Sequence, residues 1–463
     1  MVAQRQVIDI TQLVDEQKIG AFNLKIIFLS FLIMMSDGYD LQAAALAGPG
    51  LVQSWHVDRA ALGPVFSASL FGMLFGGPLF AYVGDRFGRK TAIILGAVLY
   101  GVVTLIAARA SSLDELLMLR FITGLGLGGL PPNCIALNAE FAPKRLRATL
   151  IVIMYLGVTV GSMLPAAVTA AMGHSYRWQT LFIIGGVVPL AAAVILFFGM
   201  PESIKFLALH NKSREQIKRL VAAIRPGLSV AADAEFFIPE ERSRPNGKFI
   251  VASLFSGGLG WITPLIWLLY ILNLMTNFFL HNWMPILFRD DGLTIQQMGI
   301  ATAMYDVGGI FGALIVSRLL DKWGIMTLVA AFALGVPLVA AIGTPGITVF
   351  LLGAAVFMTG FSIVGIQLGL NAVVGVVYPT SIRANGAGWA SSIGRFGAIF
   401  GPLIGGWLIA MHASVQQLFL APVVPMVIGV VTAYALMRFC VARFRGNRLD
   451  ETAAPSPSLE IAS

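Results

Sequence analysis

Runs of mainly apolar residues, each long enough to cross a bilayer as a helix, alternate along the chain with short polar breaks. A spanning helix needs about 20 such residues. The runs fall at 24–48, 61–83, 91–109, 114–139, 148–172 and 179–200, and then, after a polar stretch, at 263–287, 297–318, 325–343, 347–371, 384–411 and 417–440. The pattern predicts an all-α membrane protein with twelve transmembrane helices in two six-helix bundles. The bundles cover 24–200 and 262–440, and a cytoplasmic linker loop at 201–261 joins them. Residues 1–23 have no apolar core followed by a small-residue cleavage site, so they do not read as a signal peptide. Val7, Ile8, Ile10, Leu13 and Val14 predict instead a short amphipathic helix on the cytoplasmic side. Residues 441–463 are polar and rich in Pro and Ser, which predicts a disordered cytoplasmic tail.

Composition narrows the class. Charged residues make up 12% and hydrophobic ones 57%, against about 25% charged in a soluble domain. Too little charge remains for a water-facing surface, which excludes a soluble enzyme, a nucleic-acid-binding domain and a disordered chain. The net charge of +8 is explained by where the bases lie. With the N-terminus inside, 25 of the 31 Lys and Arg fall in inner segments, and four (Arg59, Arg109, Arg177 and Arg289) in outer loops. Inner loops carry the basic excess, so both termini are expected in the cytoplasm, and no nucleic acid is called for. Cys134 and Cys440 lie far apart in apolar runs, with neither disulfide nor metal-ligand spacing, and no metal is expected.

An internal repeat is visible. Gly84–Lys90 reads GDRFGRK after the second run, and Leu319–Gly324 reads LLDKWG after the eighth. A parallel repeat of six spans suits a two-bundle transporter with a central cavity. In each turn an Asp, Asp85 or Asp321, could pair across to a neighbouring bundle; the bland alternative is a basic inner loop with no mechanical role. Gly124-x-Gly126-x-x-Gly129 formally matches a dinucleotide fingerprint, but no strand precedes it. These glycines, and Gly157-x-x-x-Gly161, fit helix contact instead.

The informative residues are charges inside spans, where an isolated ion costs about 2.5–3.5 kcal/mol even on lenient scales. Asp37 and Asp40 share one face of the first span at i, i+3. At 1.5 Å per residue, Asp37 lies roughly 20 Å along its span and Arg120 about 9 Å from the outer end of the fourth. The depths match, so an Asp–Arg–Asp cluster is expected, whether as a transport site or as a structural ion pair. Arg395 sits near the middle of the eleventh span and suits two-pronged carboxylate binding. Asp306, at similar depth in the eighth, could neutralise Arg395 or carry a proton. Asn273 and Asn277 share a face, as do Gln367 and Asn371; they could bond ring substituents or one another. Tyr39, Tyr270, Tyr305 and Phe278 could pack on a ring, and His281 reads as an interface residue.

The twelve spans with GDRFGRK and its echo resemble the major facilitator superfamily, with Ala81 where that family usually has glycine four residues before the Asp. Glu140-x-x-Pro143-x-x-x-Arg147 and Pro201-Glu202-Ser203 resemble further signatures of it. Asp37-Gly38-Tyr39-Asp40, Arg120, Trp283-Met284-Pro285, the stretch Tyr378–Trp389 and Gly394-Arg395-Phe396-Gly397 resemble the aromatic acid:proton symporter family, over roughly residues 7–440. That resemblance implies import of small aromatic carboxylates, of hydroxybenzoate or phenylpropanoid type, across a bacterial inner membrane. It also implies that Asp37, Asp40, Arg120, Glu140, Arg383 and Arg395 are required. The expectation is a monomeric, proton-driven transporter without a cofactor, working by alternating access. Asp37, Asp40 and Asp306 would couple protons. Arg120, Arg395, Tyr39, Asn273, Asn277, Gln367 and Asn371 would bind substrate. Asp85, Arg86, Arg89, Glu140, Arg147, Asp321 and Arg383 would gate. The alternatives are a porter for a non-aromatic organic acid or a sugar-like substrate and, with less support, a membrane enzyme or sensor. The chain has no His pair at metal spacing, no G-x-S-x-G, no nucleotide loop and no signalling domain.

Overall fold

In an apolar medium the backbone must satisfy its own hydrogen bonds, and a sequence with this little turn chemistry does so as helix. The computed structural model describes residues 7–209, 214–225, 235–237, 251–256, 258–344, 346–379 and 382–444. In chain order the elements are β1 (Val7–Asp9), α1 (Ile10–Glu16), α2 (Ala21–Trp55), α3 (Leu62–Phe87), α4 (Arg89–Ala107), α5 (Leu113–Gly128), α6 (Leu130–Phe141), α7 (Arg147–Met172), α8 (Trp178–Gly199), α9 (Ile204–Leu209), α10 (Arg214–Ile224) and β2 (Glu235–Phe237). They continue with α11 (Ile262–Asp290), α12 (Ile295–Trp323), α13 (Met326–Ile342), α14 (Val349–Val377), α15 (Arg383–Ala410), α16 (Val415–Leu420) and α17 (Val423–Phe444). Among the described residues ten helices are long and apolar enough to cross a membrane, and α13 is a shorter apolar helix.

Where helices start, short polar side chains take up orphan N–H groups. Ser112 accepts from Glu115 N ahead of α5, and Thr294 and Ser414 form capping boxes with Gln297 and Gln417. The fourth apolar run departs from expectation. It folds as two helices, α5 and α6, meeting at Gly129, because Pro131 and Pro132 have no N–H to donate and fit only a first turn.

The chain forms two units, one of residues 1–43, 71–164 and 179–248, the other of 44–70, 165–178 and 249–463. In the first, the segments read as a surface helix and a polar linker contribute to the core. Ile10, Leu13 and Val14 of α1 join Ile204, Phe206 and Leu207 of α9 and Ile217, Val221 and Ile224 of α10 in one buried cluster. Three short helices thus contribute to one apolar cluster, while β1 pairs in parallel with β2 from Val7↔Glu235 to Asp9↔Phe237. The predicted tail beyond Phe444 lies outside the described residues.

Close approach depends on glycine. In the first unit Gly157 and Gly161 of α7 face the backbone of Phe31 and Met35 on α2, and Gly126 faces Gly96. In the second unit α12 packs on α14 through Gly308, Gly312 and Gly360, and α11 on α15 through Gly397 and Gly401. A methyl at Gly161 would run into the Met35 carbonyl, whereas Gly353 has nothing within 4 Å. Gly161→Ala is therefore expected to cost about 1–3 kcal/mol by overpacking and Gly353→Ala close to nothing, read as thermal unfolding of the purified protein in detergent.

Candidate functional site

The first polar site is built by α2, α4 and α5. Arg120 donates to Asp40 Oδ1 at 2.7 Å, and both side chains are almost fully enclosed, at 2% and 1% exposure. The guanidinium also lies 6.0 Å from the centre of the Phe182 ring. Asp37, one turn before Asp40, is buried as well, and between them Tyr39 sets its ring against Gly185 beside Thr104. Tyr100 of α4, which the sequence reading did not single out, donates to the Ser36 carbonyl at 2.9 Å. The matched depths of the two helices thus translate into contact. Several buried polar atoms here carry no hydrogen bond within the described protein, namely Tyr39 OH, both amide atoms of Gln42, Thr104 Oγ1 and Thr123 Oγ1. A buried polar group without a partner costs free energy, so these groups mark a place where a ligand or water would be stabilised.

The second unit holds a ladder of polar pairs. Tyr270 donates to Asn371 at 2.6 Å, Asn273 to Gln367 at 2.9 Å, and Tyr305 to Asn277 at 2.6 Å. The amides predicted to bond ring substituents therefore bond helix to helix. Asp306 Oδ1 stands 4.0 Å from His281 Nε2, whose side chain is largely enclosed at 13% exposure and packs edge-on against Tyr305. Arg395 is half-buried on α15, in the stretch where Gly394 and Gly397 contact Tyr270, Ile271 and Leu274 of α11. A cavity of about 690 Å³ bordered by Met275, Phe279, Ile404, Leu408 and Val424 has no charged residue in its lining, which suits hydrocarbon better than a carboxylate.

The turn residues behave differently from expectation. Asp85 accepts from Arg89 of its own turn at 2.5 Å, and Arg89 also reaches Asn133 at 3.4 Å. Arg86 is exposed, lying beside the Phe87 ring. Gly88, at φ +110°, has a conformation few other residues adopt, and a side chain there would collide with Glu202. Glu202 in turn accepts from Lys90 N at 3.0 Å and Ser203 N at 2.9 Å, while Ser203 Oγ donates to Glu140. Arg147 approaches Asp15 at 3.8 Å. The conspicuous loop motifs are thus locked to one another within the first unit, through a Pro-Glu-Ser segment the sequence reading had left without a role. Asp321 is exposed at the end of α12, where Gly324 turns the chain at φ +61°, and Arg383 Nε donates to the Tyr378 carbonyl at 3.3 Å.

The sequence pattern described as Major Facilitator Superfamily matches residues 26–269 and 266–461. The chain belongs to the major facilitator superfamily. It is 34% identical over 436 residues to the 4-hydroxybenzoate transporter PcaK of Pseudomonas aeruginosa, covering 94% of this chain and 96% of that one. To the gallate transporter of Pseudomonas putida it is 35% identical over 413 residues, 89% of this chain and 91% of the relative. The fold is shared with a bacterial homolog of the human lysosomal transporter Spinster, described as inward-facing and occupied, at a TM-score of 0.70 and 14% identity, over 95% of this chain and 100% of that one. The superfamily resemblance and its narrowing to aromatic acid transporters are both borne out by these relatives.

In this major facilitator protein the Asp40–Arg120 pair should behave as a unit. Arg120→Met leaves a buried carboxylate without its bonded guanidinium and should destabilise by about 3–5 kcal/mol, whereas Asp40→Leu with Arg120→Met together should recover most of that. Thermal unfolding of the single and double variants in detergent checks it; equal losses in both would show that the pair is not coupled.

Proposed function

We propose that this protein is a proton-coupled importer of small aromatic carboxylates that crosses a bacterial inner membrane twelve times, with both termini in the cytoplasm, and works as a monomer by alternating access. The two six-span halves that the internal repeat suggests would be its moving parts. Relatives named for 4-hydroxybenzoate and gallate support the substrate class. The observation that carries the coupling is the enclosed Asp40–Arg120 pair, with Asp37 one turn away.

The chemistry follows from charge. An anion entering the cell opposes an inside-negative potential worth about 2.3 kcal/mol per charge per 100 mV, and each accompanying proton cancels one such charge. A proton on Asp40 would remove its negative charge from beside Arg120 and weaken the bond that ties α2 to α5 in a low-dielectric setting. Asp37 is the neighbouring acceptor through which that proton enters or leaves. Arg395 takes the substrate carboxylate by a two-pronged bond. Asn273, at its level, and Asn277, Gln367 and Asn371 can exchange their mutual bonds for bonds to ring hydroxyls, while Tyr39 lends an aromatic face in the other half.

Access alternates between two seals. At one end Arg59 bonds to Asp290, Gly63 lies against Pro402 and Gly406, and Gly299 against Ala166. By the distribution of bases this is the outer end. At the other, the Asp85–Arg89 turn, Glu140 and Arg147, with Asp321 and Arg383 in the second half, would form and break the inner seal.

Proteoliposomes with labelled 4-hydroxybenzoate and an inward proton gradient test this reading. Wild type should concentrate the label, and Asp40→Asn should keep exchange but lose uphill uptake. Arg395→Lys should weaken binding nearly as much as Arg395→Ala, each by at least about tenfold, about 1.4 kcal/mol. Normal affinity in Arg395→Ala would move the carboxylate anchor to Arg120. Asp85→Asn should slow turnover with little change in affinity; a large affinity defect at normal turnover would remove Asp85 from the gate.

A further inference from the structure

Helix α6 stops at Phe141 because Pro143 holds the residue before it extended, Ala142 lying at φ −92° and ψ 130°. The last carbonyls of a helix lack helical partners, and that of Phe141 is satisfied from the N-terminal end of the chain. Gln17 Nε2 donates to it at 2.7 Å and Asn23 Nδ2 at 3.0 Å. Both amides are buried and fully used. Gln17 Nε2 also donates to the Val14 carbonyl, Gln17 Oε1 accepts from Asn23 Nδ2, and Asn23 Oδ1 accepts from Gly20 N. Further along the turn, Lys144 N donates to Asp15 Oδ1 at 3.0 Å and Arg145 Nη2 to the Gln17 carbonyl at 3.4 Å. We propose that residues 9–23 form a strap that positions the turn between Glu140 and Arg147 for the inner seal, with Asp15 and Gln17 as positioning residues in transport. The inference rests on the reading of this chain as an importer working by alternating access.

A helix as short as the seven residues of α1 does not hold together by itself in water, so the strap needs an anchor. Asp9 caps α1 by accepting from Thr11 N and Gln12 N, and Ile10, Leu13 and Val14 bury in the cluster shared with α9 and α10. That cluster also contains Phe141 and Ile204, and Ser203, just before Ile204, donates to Glu140. The turn is therefore gripped from two sides, by the strap and by the start of α9, and the shared apolar cluster closes the ring. Magnitudes show which contacts hold it. The Asp15–Arg147 pair, at 3.8 Å with side chains 35% and 31% exposed, is worth little. The hydrogen bonds to backbone groups of the turn carry the strap, and the buried ones cost most to lose.

The strap leads to the coupling helix. It runs into α2 at Ala21, with Asn23 in the first turn and Phe22 edge-on to Phe141, and α2 carries Asp37 and Asp40. On the other side, α5 carries Arg120, and α6 after it ends in the turn. The two stretches joined by the Asp40–Arg120 bond are thus joined again at Asn23, about 25 Å away along α2 at 1.5 Å per residue. A shift of α2 when the deep bond weakens reaches the turn through this second joint. Among the described residues, Asp15, Gln17 and Asn23 bond to none of the side chains assigned to the substrate. Loosening the strap therefore acts on the passage between conformations and leaves affinity in place.

Two measurements decide it. Lys144 and Arg145 are exposed, so trypsin acting on the purified protein in detergent, with the new termini read by mass spectrometry, reports how often the turn opens. Asp15→Ala with Gln17→Ala removes bonds from both ends of the turn, and cleavage there should be about tenfold faster than in wild type. Asp15→Ala alone leaves the buried amides in place and should give about threefold; it keeps the test open if the double variant does not fold. Asp15→Asn retains an acceptor for Lys144 N and should cleave like wild type. Equal cleavage in wild type and the Ala variants overturns the strap. In proteoliposomes the Ala variants should turn over 4-hydroxybenzoate severalfold more slowly with KM within about twofold of wild type, and Asp15→Asn should restore the rate. Unchanged turnover, or a defect confined to KM, overturns the positioning role. Should wild type move no 4-hydroxybenzoate under any gradient, the reading of the substrate fails, and the cleavage still decides the strap.

Discussion

Asp40 and Arg120 meet deep in a helical unit whose buried side chains are mostly apolar, and their bond sets what the surrounding helices must do. Taking both charges out of water costs several kcal/mol per ion, so an apolar pair of the same volume would hold α2 and α5 together as well or better. Such a pair is better suited to switching than to cementing. Its strength depends on one proton, taken up or released by Asp40. For the two groups to meet, α2 must be held at a defined depth and rotation. The glycines that let α7 lie against the α2 backbone at Phe31, Met35 and Gly38 supply that.

The helices and the depth of the charges were legible in the chain because both follow from counting along one axis. Apolar run lengths placed the long described helices, though ends such as Trp55 and Val377 lie six or seven residues past the predicted ones, and a rise of 1.5 Å per residue put Asp37 and Arg120 at one level before any contact was known. The exceptions have local causes. Pro131 and Pro132 divide a run that hydropathy alone reads as continuous. The helices α9 and α10, in the stretch read as a polar linker, are too short to register as spans, yet carry enough apolar residues to bury against α1, the predicted amphipathic helix.

Partner choice was not legible, since depth says nothing of rotation about the helix axis. Asn273 could face a ligand or Gln367, and Asp306 could face Arg395 or His281, with the same pattern of letters. Only the glycine contacts between α11, α12, α14 and α15 fix which side chains share a rung. Asp85 shows the same limit over a shorter range. Asp85 lies in the last turn of α3 and Arg89 opens α4 beyond the break at Gly88, so their spacing of four did not by itself establish that they pair.

The polar ladder and the Asp40 site together point to how the two halves of such a carrier can be linked without a wire between them. A buried charge costs most when its surroundings are closed and dry, and less when one end of the bundle admits water. In the proposed coupling the proton occupancy of Asp40 would differ between conformations, and by linkage each bound proton would shift the conformational equilibrium by the same free energy. Neutral rungs such as Tyr270–Asn371 have no such dependence and can persist in every state. These neutral rungs keep α11 registered against its neighbours.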